Sequence, residues 1–276
     1  MRSSLRLLVP AIAALMVHVS PAWSQADTVT PPRRLFTERD AGLAAAFVVG
    51  GYFTRPLDRY FAQRLQTPTA QDHQFLQKTS SIVNSIAVPG AFFIGAGMYG
   101  AGRLSKSRKL ADLGLHGTEA LLIGEALGGV MKGFFGRARP YTDPKNLNPD
   151  NWQLMRGFGK EDGYRSFPSG HSVAAFAAAA AVTSEMSRWH PETRWLVGTA
   201  MYGGAGMVGL SRMYNNRHWA SDVLAGAAIG IFAGNKVVRY HHSHPGNPLD
   251  EWLVNFTMVP AGGIQSLQLS ILPRPR

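Results

Sequence analysis

Cysteine is absent from all 276 residues. Its absence excludes disulfide scaffolds, cysteine-ligated zinc and thiol nucleophiles. Charge is sparse too, at 16% of residues, where soluble domains average roughly 25%. Acids are the scarcer sign: 17 Asp and Glu face 28 Lys and Arg, for a formal net charge of +11. The basic residues form no polybasic tract and no aromatic-interleaved stripe, which argues against nucleic acid as partner. An anionic small substrate or a lipid headgroup fits the charge better. Long apolar runs are rare. In the mature chain only Ile82–Gly102 reaches the roughly 20 uncharged residues of a membrane span. Mean hydropathy is −0.07, low for a protein that is mostly membrane. Hydrophobic residues still make up 45%, so a disordered or fibrous chain is excluded and a sizeable core is expected.

The first residues read as a secretory signal peptide. Arg2 and Arg6 precede the apolar run Leu7–Val19, and Ala22-Trp23-Ser24 supplies small residues for cleavage. Ser24-Gln25-Ala26 is an alternative cleavage point, and an uncleaved anchor the alternative role. Removing residues 1–24 leaves 26 basic and 17 acidic residues, a net +9. The expected organisation is a leader over 1–24, a polar arm over 25–40, a helical catalytic domain over 41–240 and a tail over 241–276. Export, to a periplasm-like compartment as a soluble or membrane-associated protein, follows from the leader.

Gly/Ala-rich apolar stretches recur at Ala41–Phe53, Ile82–Gly102, Leu113–Val130, Ser172–Ser184, Trp195–Ser211 and Val223–Asn235. They predict an all-α fold built on six core helices. Glu119 and Glu125 within the third are costly in lipid unless they face the bundle interior. Near the C-terminus, Val254, Phe256 and Met258, then Leu267, Leu269 and Ile271, alternate with polar residues around Ala261-Gly262-Gly263. That pattern predicts a small β-hairpin.

Three clusters carry the chemistry. The first is Lys-Gly-Phe-Phe-Gly-Arg-Ala-Arg-Pro, Lys132 to Pro140. On a continuing helix its spacing puts Lys132 and Arg139 about 20° apart, with Arg137 pointing elsewhere. Two cations on one face make a clamp for a multivalent anion. The second, Pro-Ser-Gly-His, Pro168 to His171, precedes a helix start. Free N–H groups there suit a phosphate, and Gly170 permits close approach. The third is Ser-Arg-Met-Tyr-Asn-Asn-Arg-His-Trp-Ala-Ser-Asp, Ser211 to Asp222. His218 and Asp222 stand four apart, so a carboxylate can fix the imidazole tautomer. Arg212 adds a third cation. Each cluster alone also reads as an ordinary basic face, helix cap or surface pair; their joint, ordered occurrence favours a site.

Together these segments resemble the signature of the type 2 phosphatidic acid phosphatase (PAP2) superfamily, which also contains bacterial class A acid phosphatases and vanadium haloperoxidases. The pattern K-x6-R-P, P-S-G-H and S-R-x5-H-x3-D is complete over residues 132–222. The resemblance implies a six-helix PAP2-like bundle and a phosphatase that needs no metal or cofactor. It implies that His218 attacks phosphorus to form a phosphohistidine, with Asp222 orienting it. His171 protonates the leaving oxygen and then activates water. Lys132, Arg139, Arg212, Ser169 and Gly170 hold the phosphoryl oxygens. The implied substrate is a phosphorylated lipid or a small phosphomonoester; the sequence does not choose between them. A vanadate-dependent haloperoxidase and a non-enzymatic exported scaffold are the other readings.

Three further features remain open. His241, His242 and His244 are a candidate metal cluster lacking a carboxylate or cysteine at ligand spacing. Trp152 is a candidate lid over the pocket, with Arg156, Lys160 or Arg165 touching a headgroup. For a membrane-spanning bundle with its site outside, Arg103–Lys109 falls inside, as the positive-inside rule expects. A cleaved leader then leaves Ala41–Phe53 unable to cross as well.

Overall fold

The computed structural model describes residues 36–244, 258–261 and 264–267. The expected leader and most of the arm lie outside the described residues. Eight α-helices are described: α1 Glu38–Phe53, α2 Arg55–Arg64, α3 Pro68–Gln71, α4 Gln74–Leu104, α5 Arg108–Phe135, α6 Gly170–Trp189, α7 Arg194–Tyr214 and α8 Ala220–Ser243. Six of them contain the six predicted stretches, so the expected count is short by α2 and α3. Both are polar and short, and an apolar-run criterion passes over them. The arm ends earlier than residue 40, because Thr37 caps α1 and its N–H donates to Asp40 Oδ2 at 2.6 Å, one half of a capping box. The tail begins later than residue 241, because α8 continues through His241 and His242 to Ser243. Met258–Ala261 and Ile264–Leu267 pair as an antiparallel two-stranded ladder, with Ala261 opposite Ile264. The rest of the 253–272 stretch lies outside the described residues.

Helix α6 is the hub, packed against α5, α7 and α8. Its sequence explains that position: Val173, Ala174, Phe176, Ala177, Ala179, Ala180 and Ala181 are all buried. Small side chains let neighbouring backbones approach closely. On α8 the complementary row is Gly226, Gly230 and Gly234, one turn apart. A Cβ on Gly230 would collide with the Val173 carbonyl oxygen, so no larger residue fits this crossing. Helix α4 bends by 62° between Val83 and Val88. Pro89 lies just past the bend and is its cause: proline offers no N–H to the turn before it and crowds that turn's carbonyl.

The outward surfaces are unusually apolar. Phe47, Val48, Val49, Tyr52 and Phe53 on α1, Ile82, Ile86, Phe93 and Ile94 on α4, and Leu122, Ile123, Leu127 and Val130 on α5 are all exposed. Exposed apolar area of this extent marks a protein or membrane contact. By length and composition, Ala220–Ser243 could cross a bilayer, and the bent α4 passes the same test only as a two-part unit. Residues 82–102, the expected span, are therefore part of a kinked helix. One half-buried core helix is weak ground for a membrane topology.

Candidate active site

The chemistry gathers at one end of the bundle, where α5 ends, α6 and α8 begin and α7 finishes. Helix α5 stops at Gly136, whose φ of 52° is left-handed, a conformation glycine adopts freely. A Cβ there would run into the Gln153 carbonyl oxygen. The helix therefore does not continue to Arg139, contrary to the one-face reading. Lys132 lies on the last turn of α5, while Arg139 follows in an extended segment after the turn. Both still reach the same place, by different backbone routes. The Lys132 ammonium donates to the Pro168 carbonyl. A Cβ on Gly170 would lie 3.4 Å from Lys132 Nζ and 3.1 Å from Glu125 Oε2, so this glycine leaves room beside both charges.

Arg137 occupies the interior rather than pointing away. Its guanidinium donates to Asp58 Oδ2 at 2.7 Å, Ser221 Oγ at 2.7 Å, Asp222 Oδ1 at 2.5 Å and the Pro149 carbonyl at 2.9 Å. The Trp152 and Trp219 rings flank it at 4.5 Å and 5.5 Å, within reach of a cation–π attraction. Asp58, from the unpredicted α2, also accepts Ser221 N–H at 2.8 Å. This buried ion network ties α2, the 136–169 loop and the start of α8 into one rigid floor. Trp152 packs edge-on against Phe135 and Phe167 and lies against the Arg137 guanidinium, with about two-fifths of its surface exposed.

His218 precedes α8, with Trp219 as the helix cap, so the same-face rule for residues four apart does not govern it. Its Nδ1 bonds the Ser166 carbonyl oxygen at 2.7 Å. Asp222 Oδ2 stands 3.7 Å from that nitrogen, beyond hydrogen-bonding range. A carbonyl partner requires Nδ1 to carry the hydrogen, leaving the Nε2 lone pair available. Asp222 acts one step removed: it accepts Ser166 O–H at 2.5 Å and Trp219 N–H at 2.9 Å, holding both segments that flank the imidazole. Arg139 Nη1 is 3.4 Å from His218 Nε2. Burial, with Arg139 beside it, pushes His218 down to about 3, so it is neutral near pH 7.

His171 sits in the first turn of α6. Burial, then Arg212, Lys132 and Arg139, pushes it down to about 4, each acting against the charged form. Arg212, buried in the last turn of α7, is itself depressed to about 10 by burial and by Arg139 and Arg217. Lys132, Arg139 and Arg212 thus all bear on His171, and Lys132 and Arg139 also bear on His218. Ser169 caps α6, but its N–H donates to the Asp222 carbonyl at 3.0 Å and its Oγ accepts from Ser172 at 2.9 Å. The N–H groups available for an anion are those of the next residues, from Gly170 onward.

One participant was not legible beforehand. Asp162, in the loop before Pro168, bonds Arg139 Nη2 at 2.9 Å and approaches Arg217 at 3.6 Å. Burial opposes its ionisation, but Arg139, Tyr141 and Arg217 hold it below the usual carboxylate range. It is the one carboxylate reaching the Arg139 fork among the described contacts. Only loop composition, four acids among four bases, hinted at it. Glu125 faces Lys132, as its position on an apolar helix suggested. Beside His171 opens an apolar groove of about 410 Å³, lined by Phe75, Ile82, Ile86, Ala174 and Met207.

The family model of the PAP2 superfamily matches residues 115–244. This segment resembles the lipid A 1-phosphatase of Porphyromonas gingivalis, 39% identical over 114 residues, covering 41% of this chain and 22% of that one. It also resembles the probable lipid phosphate phosphatase 4 of Arabidopsis thaliana, 34% identical over 140 residues, 47% of this chain and 44% of that one. The chain thus spans less than half the length of these two curated relatives. The PAP2 fold is shared with a transmembrane PAP2-type phosphatidylglycerolphosphate phosphatase of Bacillus subtilis, at TM-score 0.53 and 21% identity over 76% of this chain and all of that one.

Proposed function

We propose that this PAP2 chain is an exported, membrane-associated phosphatase that hydrolyses lipid phosphates or diphosphates through a phosphohistidine. The observation that carries the reading is two histidines kept neutral by burial beside cations, with Arg139 Nη1 3.4 Å from His218 Nε2 and Arg212, Lys132 and Arg139 bearing on His171. The His218 Nε2 lone pair attacks phosphorus as the bond to the leaving oxygen breaks. His171 supplies the proton to that oxygen. Binding of the dianion offsets the cationic field that depresses His171 in the free site, which raises its proton affinity when the acid is needed. Neutral His171 then takes a proton from water, the hydroxide attacks phosphorus and the P–N bond returns its electrons to His218. The guanidinium forks and the Lys132 ammonium carry the charge on the phosphoryl oxygens.

The groove beside His171 favours a substrate with an acyl or prenyl chain over a small soluble ester. The exposed apolar helix faces support membrane association, and the N-terminal pattern supports export. Haloperoxidase and scaffold readings are not favoured, because the two relatives with the highest identity above carry phosphatase names.

The test is a panel of lipid phosphates, a lipid diphosphate and a soluble aryl phosphate, without added metal. His218→Ala is expected to lose turnover by about 10⁴-fold or more and to trap no acid-labile phosphoenzyme. His171→Gln is expected to lose about 10²–10⁴-fold, while still labelling from a substrate whose leaving group needs no acid. Retained turnover in His218→Ala would remove the covalent route.

A further inference from the structure

At the end of the bundle away from the phosphoryl cradle, histidines meet carboxylates drawn from three helices. His116 lies on α5, Glu185 on α6 and His242 on α8. His116 Nδ1 is 2.6 Å from Glu185 Oε1, and His242 Nε2 is 3.0 Å from both Glu185 oxygens. One ligand atom from each residue lies within 4.8 Å of the other two. Helix rise puts Glu185 about 22 Å along α6 from Gly170 and His116 about 24 Å along α5 from Lys132. This cluster is therefore separate from the phosphoryl site.

We propose that His116 Nδ1, the Glu185 carboxylate and His242 Nε2 bind a divalent transition-metal ion of the zinc type. Two imidazoles and a carboxylate suit zinc, cobalt or nickel rather than magnesium or calcium. In a tetrahedral zinc site such ligands stand about 2.0–2.2 Å from the ion, so their mutual distances are near those seen here after small side-chain shifts. His116 and Glu185 are buried, and a fully buried carboxylate strongly favours a positive partner. His242 is partly exposed, leaving a fourth position on the solvent side for water. The ring of His116 stacks on His241 at 4.2 Å, and His241 Nε2 bonds Glu119 Oε2 at 2.5 Å. Such a supporting pair holds a ligand ring in place. Asp112, one turn earlier on α5, adds negative charge near His116 and His242. The ion is a clasp joining α5, α6 and α8 and takes no part in phosphoryl transfer. Of the three histidines near the C-terminus singled out in the sequence, only His242 is a ligand. The missing carboxylate comes from α6, 57 residues away in sequence.

Metal-stripped full-length protein titrated with Zn²⁺ alone is expected to bind one equivalent with micromolar or tighter affinity and to melt at a higher temperature. Co²⁺ is expected to give the visible absorption of a low-symmetry site. His242→Ala, a change at a partly exposed side chain, is expected to weaken binding about 100-fold or more and to abolish the rise in melting temperature on adding Zn²⁺. His116→Gln should do the same, and His190→Ala, at an exposed imidazole beside Glu192, should change nothing. Absence of saturable binding up to about 100 µM Zn²⁺, far above structural-site affinities, would overturn the proposal. So would unchanged affinity in His242→Ala, or loss of binding in His218→Ala, which would move the ion to the other end.

Discussion

The two ends of this bundle set histidine in opposite surroundings. At the phosphoryl end, Lys132 and Arg139 bear on both His171 and His218, Arg212 bears on His171, and His218 meets a carbonyl rather than a carboxylate at its Nδ1. At the far end, His116 and His242 meet Glu185, and His241 meets Glu119. Cations around an imidazole hold it neutral and favour an anionic ligand nearby. Carboxylates around an imidazole favour a cation. In the proposed roles the same residue type is nucleophile and proton carrier at one end and ligand donor at the other, and the sign of the neighbouring charge makes the difference.

Carboxylates are not absent from the phosphoryl end, but two of them, Asp58 and Asp222, are held in the floor beneath it by Arg137. Replacing Arg137 with Met breaks that arrangement most sharply, leaving Asp58 and Asp222 buried without their shared cation. A loss of about 3–5 kcal/mol in stability is expected, read by chemical denaturation. A loss under about 1 kcal/mol, the size of an exposed pair, would mean the network is not a buried keystone.

Acidification separates the ends more gently. The unfolded chain protonates a histidine near 6.5, whereas His171 and His218 take a proton only near 4 and 3 when folded. The unfolded state thus binds more protons between those values, and stability falls as pH drops below about 6.5. Between about pH 6.5 and 5.5 each histidine contributes about 1 kcal/mol of this loss. In His171→Gln the contribution of that residue disappears, so the pH dependence of the melting temperature should flatten in this window. An unchanged slope would contradict the cationic setting of His171.

The smallest effect is expected at Asp162, the acid that reaches into the cationic end. Asp162→Asn frees Arg139 from a partly exposed ion pair worth about 0.2–1 kcal/mol. KM for a phosphate ester should fall by up to about fivefold with kcat little changed. A rise in KM would show that Asp162 positions Arg139 rather than competing with the substrate.

Much of the site was legible because its residues carry unusual chemistry at close spacing: Pro168 to His171, and Arg212 to Asp222, need little structural context. The routes by which they converge were not. Lys132 and Arg139 looked like two positions on one helix, but Gly136 turns the chain between them. Asp222 looked like the direct partner of His218, but the helix begins after the histidine and Ser166 takes that place. Asp58 and Asp162 gave no local signal, since each matters through a partner at least 23 residues away.

The primary structure on its own determined the helical class and the six apolar segments, because burial periodicity and Gly/Ala packing are local properties of a helix face. It also determined which side chains could handle a phosphoryl group. Only the folded arrangement decided which nitrogen of His218 is available, which acids stay beneath the site, and that Glu185 stands between His116 and His242. Those outcomes depend on charges and carbonyls brought within a few ångströms from distant parts of the chain, and electrostatic influence follows spatial distance, not sequence separation.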